Sequence, residues 1–173
     1  MAQIIAQAPL IRPYQDTDLH AVTDIYGHHV RYGTASFETE PLSKAQMAER
    51  ISTLQQNDYP VIVATDENDQ AIGFAYAGPH KARYGYRFTV EDSIYVAPDH
   101  IRQGIGHALL SHLITMARAK GFRQMMAVIG DSDNQGSIGL HRHCGFEMVG
   151  IARNIGFKFE RHLDVVFMQC DLS

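Results

Sequence analysis

The stretch Val96-Ala97-Pro98-Asp99-His100-Ile101-Arg102-Gln103-Gly104-Ile105-Gly106-His107-Ala108-Leu109-Leu110 runs from a β-rich segment through a proline stop into a glycine-punctuated helix start. Two glycines two residues apart let backbone N–H groups come close to an anion, and the helix that follows adds the positive end of its dipole. The candidate phosphate-binding positions are therefore Arg102, Gln103, Gly104, Ile105, Gly106, His107 and Ala108. A helix cap in which glycine only serves a tight turn fits the same residues. A dinucleotide fold would place a third glycine at position 109, which is Leu109, and a P-loop would follow its last glycine with Lys-Ser or Lys-Thr, where this chain has His107-Ala108.

A second motif lies downstream in Asn134-Gln135-Gly136-Ser137-Ile138-Gly139-Leu140-His141-Arg142-His143-Cys144-Gly145-Phe146. Asn134 opens it, Ser137 follows three residues on, and Gly145-Phe146 close it where a helix would end. The order is a glycine-rich loop, a long amphipathic helix, a buried strand and this short helix. Together they resemble the acetyl-coenzyme A signature of the GNAT superfamily of N-acetyltransferases, over roughly residues 94–150. That resemblance implies an α/β (α+β) fold with a mixed sheet of about six to seven strands and about four helices, splayed to admit acetyl-CoA.

Composition agrees with one soluble domain over residues 1–173, its cofactor-binding half at about 88–150: 45% of the residues are hydrophobic and 20% charged. A net charge of −4 gives no electrostatic case for nucleic acid or an anionic membrane as partner. Two cysteines, Cys144 and Cys170, are too few for a disulfide framework, which makes a reducing cytoplasm the expected compartment. The ten histidines lack a metal-ligand pattern and read as scattered surface residues, so no metal is expected. No apolar run approaches membrane-spanning length, and Met1–Pro9 has neither the basic start nor the apolar stretch of a secretion signal.

Strands and helices alternate along the chain. Leu10–Arg12 reads as a strand, and Asp16 or Thr17 as the cap of a helix carrying Leu19, Val22, Ile25 and Tyr26 at helical spacing. Ser43-Lys44-Ala45-Gln46 is a capping box opening a helix that runs to about Gln56. Val61–Ala64 and Ala71–Ala77 read as strands of a hairpin turning at Asp66–Gln70. Arg87–Val96 is a long strand, Gly104–Lys120 a helix ended by Gly121, and Met125–Ile129 a central strand; Met148–Ala152 and Leu163–Gln169 complete the sheet.

Alternation along Arg87–Val96 puts Thr89, Glu91, Ser93 and Tyr95 on one side and Phe88, Val90, Ile94 and Val96 on the other. Glu91 thus leaves the apolar face just before the glycine loop. It fits either a solvated strand carboxylate or a base in a cleft. An alkylammonium cannot attack a thioester until it loses a proton, and a partly desolvated carboxylate can take it. The backbone of Ile94, Tyr95 and Val96 is the expected contact for the acetyl and pantetheine groups, while the Tyr95 side chain fits cleft or core equally. Many GNAT enzymes carry a tyrosine seven residues after the motif asparagine, and this chain has His141 there. A histidine can donate to sulfur or to an oxyanion; it can also cap helix-end carbonyls.

Upstream, Thr34-Ala35-Ser36-Phe37-Glu38, Tyr76-Ala77-Gly78-Pro79-His80-Lys81-Ala82-Arg83, Thr89-Val90-Glu91 with Tyr95-Val96, Ala127-Val128-Ile129-Gly130, and Gly156-Phe157-Lys158 before Asp164-Val165 resemble the phosphinothricin acetyltransferase family. The resemblance implies acetyl transfer from acetyl-CoA to the α-amino group of a small acceptor such as phosphinothricin, methionine sulfoximine or methionine sulfone, in a homodimer. It makes Glu91 the base and His141 the second catalytic residue, places Asn134 and Ser137 with the cofactor, and puts Phe37, Lys81, Arg83 and Glu91 at the acceptor. Arg83 can pair with an acceptor carboxylate or be a solvated loop charge. Two departures stand out. Ile101 replaces a residue that is usually Gln or Arg, with Arg102 beside it. His80 and His162 stand where family members often carry tryptophan, and the chain has no tryptophan, which implies a wider or more polar pocket. An N-acetyltransferase for peptide N-termini or polyamines, and a noncatalytic acetyl-CoA sensor, are the alternative readings.

Overall fold

The structure, a computed structural model, describes residues 9–173. Of the Met1–Pro9 segment considered for a leader, residues 1–8 lie outside the described residues.

The elements run β1 (Leu10–Pro13), α1 (Leu19–Tyr32), α2 (Lys44–Gln56), β2 (Val61–Thr65), β3 (Ala71–Pro79), β4 (Thr89–Val96), α3 (Ile105–Ala119), β5 (Gln124–Gly130), α4 (Gln135–His143), β6 (Glu147–Lys158) and β7 (Arg161–Asp171). Among the described residues there are seven strands and four α-helices, in line with the expected sheet of about six to seven strands and about four helices. Local chemistry sets several boundaries. Ser43 Oγ accepts from the Gln46 N–H while Gln46 Oε1 accepts from the Ser43 N–H, so the capping box starts α2 as expected. Asp66 Oδ1 accepts from the N–H groups of Asn68 and Gln70, both at 2.9 Å, and turns the β2–β3 hairpin.

The sheet order is β1-β2-β3-β4-β5-β7-β6. All pairs are antiparallel except β4 with β5, which α3 joins as a crossover. Strand alternation divides the core in two. Val61, Val63, Phe74 and Tyr95 meet Val22, Ile25, Tyr26, Met47 and Ile51 of α1 and α2. On the other face Ile62, Ala75, Ala77, Val90 and Met125 meet Leu109, Leu110 and Leu113 of α3. Those three leucines are fully buried, each stabilising the layer by about 1.5–3 kcal/mol.

Several boundaries differ from the sequence expectation. Asp16 or Thr17 does not cap α1. A 3-10 turn over Asp16–Asp18 precedes it, and Asp18, buried, accepts from the Gln15 N–H at 2.8 Å and from Arg12 at 2.8 and 3.0 Å. β4 starts at Thr89 rather than Arg87, because the Arg87 N–H closes a 3-10 turn onto Tyr84 O at 3.1 Å and leaves Phe88 exposed. β1 extends to Pro13, and the β6–β7 hairpin is much longer than Met148–Ala152 and Leu163–Gln169, running through a register shift between Ala152 and Gly156 where Asn154 has φ 56°.

β4 and β5 pair over only three positions, Thr89 with Gln124, Val90 with Met125 and Glu91 with Met126. Beyond Glu91 the two strands part while β3 still pairs with β4 as far as Val96. This splay is the topological event that builds the site.

Candidate active site

A cavity of about 940 Å³ fills the splay, bounded by β4, β5, the N-terminus of α3, α4 and the loop after α1. At one end lies the glycine loop. Arg102 and Gly104 take left-handed conformations, φ 61° and 81°, and no side chain caps α3. Gly104 accommodates its φ because it has no Cβ. Ala108 makes the first bond of the helix, its N–H donating to Gly104 O at 3.0 Å, which leaves the N–H groups of Ile105, Gly106 and His107 without helical partners. Arg102, Gly104, Ile105, Gly106 and His107 line the cavity; Gln103 and Ala108 do not, and Gln103 Nε2 instead donates to Asp99 O at 3.2 Å. The loop therefore presents a run of unpaired donors at a helix N-terminus, the geometry that receives a phosphate.

The long wall is β4. Ile94, Tyr95 and Val96 line it, and past Glu91 the edge of β4 that faces β5 has no strand partner, so its amide groups are open to a ligand. The Tyr95 ring belongs to the core, 6% exposed, edge-on to Tyr26 and stacked on Phe74. His29 of α1 also lines the cavity. Its Nε2–H donates to Val96 O at 2.8 Å, tying α1 to the open strand. Burial pushes the His29 ring below its ordinary pKa, in keeping with a neutral ring bonded to a carbonyl. His141 is thus buried and His29 half-buried on the cavity wall, so neither is a scattered surface histidine.

α4 faces the same wall. Asn134 Oδ1 accepts from the Ser137 N–H at 3.2 Å, so the motif asparagine is the cap of its own helix, and both residues line the cavity. The loop after α1 is pinned by Thr34 Oγ1, which donates to Gly130 O at 3.1 Å, and by Phe37, which packs so close to Gly156 that a Cβ there would sit 2.1 Å from its ring. Phe37 lines the cavity and is a pocket wall rather than core. Lys81 and Arg83 lie outside the lining, exposed on the segment between β3 and β4, with the Lys81 ammonium 5.3 Å from the Tyr86 ring.

Two carboxylate–imidazole pairs meet at the point where the strands part. Glu91 lines the cavity and its Oε2 accepts from His80 Nδ1 at 3.1 Å. Burial raises the Glu91 carboxyl above its ordinary range, and the hydrogen bond and charge of His80 pull it partly back. Asp92 accepts at Oδ2 from His141 Nε2 at 3.0 Å, with both side chains almost fully buried. His141 Nδ1 lies 2.7 Å from Ser137 O. The Ser137 carbonyl only accepts, so Nδ1 carries hydrogen, and the Asp92 carboxyl group at Nε2 favours a second proton on the ring. Burial works against that charge; the bond and charge of Asp92, helped by the Ser137 carbonyl, outweigh it and raise His141 above its ordinary pKa. Both N–H groups are engaged, so neither points freely at a ligand. Asp92 Oδ1 is sealed from solvent without a hydrogen-bond partner among the described residues.

Among the cavity residues that the sequence expectation missed are Asp92, His29, Asp131 and Arg161. The signal for Asp92 was available: alternation places it between Val90 and Ile94 on the apolar face, where a carboxylate requires a buried partner. Among the described residues no group of three or more His, Cys, Asp or Glu side chains is placed to hold a metal, and no helix is long and apolar enough to cross a membrane.

Comparison with known proteins matches this frame. Residues 22–146 fit the family model described as Acetyltransferase (GNAT) family. The phosphinothricin N-acetyltransferase of Alcaligenes faecalis is 45% identical over 163 residues, covering 94% of this chain and 82% of the relative. An L-methionine sulfoximine/L-methionine sulfone acetyltransferase of Pseudomonas aeruginosa is 40% identical, covering 94% of each chain. The crystal structure of a GNAT superfamily phosphinothricin acetyltransferase from Sinorhizobium meliloti in complex with AcCoA superposes with a TM-score of 0.94 at 46% identity, covering 96% of this chain and 90% of that one. With a sheet parted beyond Glu91, a donor loop opening α3 and full-length relatives of this kind, the chain belongs to the GNAT family of acetyltransferases.

Proposed function

We propose that this chain transfers the acetyl group of acetyl-CoA to the α-amino group of a small amino-acid-like acceptor of the phosphinothricin, methionine sulfoximine or methionine sulfone class. The observation that carries the proposal is the coincidence of Glu91 with the point where β4 and β5 part, on a chain similar along 94% of its length to enzymes named for those acceptors. The cavity suits the donor: unpaired N–H groups of Ile105–His107 for the pyrophosphate, and the unpaired edge of Ile94–Val96 for the amide-bearing arm. When bound, acetyl-CoA supplies an activated thioester.

The residues act as follows. Glu91, directly or through a water, takes the ammonium proton; its partial burial raises its basicity toward the working pH. His141, fixed as a cation by Asp92 and the Ser137 carbonyl, supplies positive charge to the wall where negative charge leaves with sulfur. Phe37 bounds the acceptor side. Lys81 and Arg83 follow His80, which touches Glu91, so the basic pair begins one residue from a contact of the base and can meet an acceptor carboxylate. The enzyme works in the cytoplasm, as two free cysteines allow. It works as a homodimer: β6 is an edge strand with Val149, Ile151, Ile155 and Phe157 at least 40% exposed, an apolar face suited to a second copy.

The test is a thiol-release assay with acetyl-CoA against phosphinothricin, methionine sulfoximine, methionine sulfone, free amino acids, polyamines and peptides. Turnover concentrated on free α-amino acids and these analogues, and lost with their amides, supports the proposal. Turnover only with peptides or polyamines replaces it with the corresponding acceptor, and acetyl-CoA binding without turnover on any of them makes the chain a sensor.

A further inference from the structure

His80 touches the proposed base and is absent from the cavity wall. It follows directly on β3, and its backbone N–H donates to Thr89 O at 3.4 Å, two residues before Glu91, so the ring is tethered to the strand that bears the carboxylate. Tyr86 meets the ring edge-on with centroids 6.1 Å apart and limits its swing. Directly across β3 from Glu91 is Gly78, and across β5 is Met126; neither offers a polar group. The titratable group that faces Glu91 is therefore His80, on the β3 side; Asp92, its neighbour on β4, lies on the opposite face of the strand and acts on it through charge alone. Lys81, the next residue after His80, is engaged with the Tyr86 ring.

We propose that His80 is a positioning residue for catalysis: its Nδ1–H holds Oε2 of Glu91 and leaves the second carboxylate oxygen turned to the acceptor amine. The proposal rests on Glu91 being the base. A carboxylate that is ready to take a proton only accepts hydrogen bonds, so Nδ1 must carry the hydrogen of the 3.1 Å contact. A glutamate side chain has several rotamers of similar energy when free, and one fixed oxygen selects among them. The ring is not part of the cavity lining while Glu91 is, so it can orient the base without occupying the acceptor's place. Among the described residues the other ring nitrogen, Nε2, has no hydrogen-bond partner and is not sealed from solvent. The same hydrogen bond favours the ionised form of Glu91 against the effect of burial.

The experiment measures kcat, KM for each substrate and the pH profile of kcat/KM for the wild type, His80→Phe, His80→Gln and Glu91→Gln, with the acceptor that turns over fastest in the thiol-release panel. His80→Phe keeps a ring and removes the donor; kcat is expected to fall about tenfold, with KM for acetyl-CoA unchanged. The acid limb of kcat/KM should move to higher pH, because the carboxyl loses the group that stabilised its charge. His80→Gln restores a neutral donor and should recover most of the rate and of the limb, which a purely structural role for the ring would not do. Should His80→Phe fail to fold, His80→Ala is read in its place. A His80→Phe enzyme with wild-type rate and profile, beside a Glu91→Gln enzyme that has lost turnover, overturns the role of His80 and leaves the base intact. A Glu91→Gln enzyme that keeps turnover overturns the base, and the role of His80 with it.

Discussion

Glu91 and Asp92 are neighbours on β4, each hydrogen-bonded to an imidazole, and alternation sends them to opposite faces of the same strand. Glu91 and His80 sit where solvent reaches, with side chains 35% and 15% exposed; Asp92 and His141 sit at 3% and 5%, under the edge of Phe146. The difference in surroundings divides the labour. The open pair keeps solvent contact beside the cavity. A sealed pair with both imidazole N–H groups engaged holds its charge and ties α4 to the sheet where β4 leaves β5. One strand thus carries two carboxylate–imidazole pairs, one in contact with solvent and the other sealed.

The largest effect that would break this contrast is on stability. Asp92→Ala leaves a buried imidazolium without its counter-charge, and removing one partner of such a pair costs about 3 kcal/mol or more. Glu91→Gln, on the open side, should change stability by less than about 1 kcal/mol, since the pair keeps solvent contact and the amide retains an oxygen for the His80 N–H. Urea denaturation of the two variants measures both. Equal losses would mean that the open pair is also a structural tie.

Next in size is the effect on chemistry. Glu91→Gln should keep acetyl-CoA affinity, read by calorimetric titration, and lower kcat by about a hundredfold or more, the range for a positioned proton acceptor. Raising the pH should restore part of the rate, because more of the acceptor amine is then free. Asp92→Asn keeps an oxygen for the His141 N–H and removes the charge; its rate should fall less than that of Glu91→Gln. The reverse ranking would move proton transfer to the sealed pair.

The legible part of this molecule was the part written in local chemistry. The Ser43 and Asn134 caps and the Asp66 hairpin each satisfy their own hydrogen bonds within a few residues, and the Gly104 turn needs a left-handed backbone that glycine adopts freely, so residue type and spacing reveal them. Alternation likewise placed Glu91 beside the cleft. Asp92 was readable by the same rule, since a carboxylate between Val90 and Ile94 calls for a buried cation. His29 was not, because its partner is a backbone carbonyl on a strand distant in sequence, and a carbonyl leaves no mark in residue type. The ends of the β6–β7 hairpin escaped because a register shift breaks the two-residue period after Ala152 and the strand exposes apolar side chains where alternation expects polar ones. Lys81 and Arg83 show the limit of placing a residue by motif: the segment was found, while its distance from the cavity depends on the turn at Tyr84–Tyr86.

The smallest effect sharpens the contrast through pH. The folded His141 holds its proton to a higher pH than an unfolded histidine does, burial notwithstanding, because Asp92 and the Ser137 carbonyl favour the cation. A group whose folded pKa is raised gives its full stabilisation below the unfolded value, about 6.5, and loses it as pH rises through the folded value. The wild type should therefore show a shallow fall in its urea midpoint as pH is taken from about 6 upward through that range. In His141→Gln the amide replaces the ring without a titrating proton, so its overall stability should be lower and this part of the pH slope should vanish. His80→Gln, on the open face, should leave the slope as it is in the wild type. If the slope survives in His141→Gln and disappears in His80→Gln, the sealed and open pairs have exchanged roles, and the division of labour across β4 is reversed.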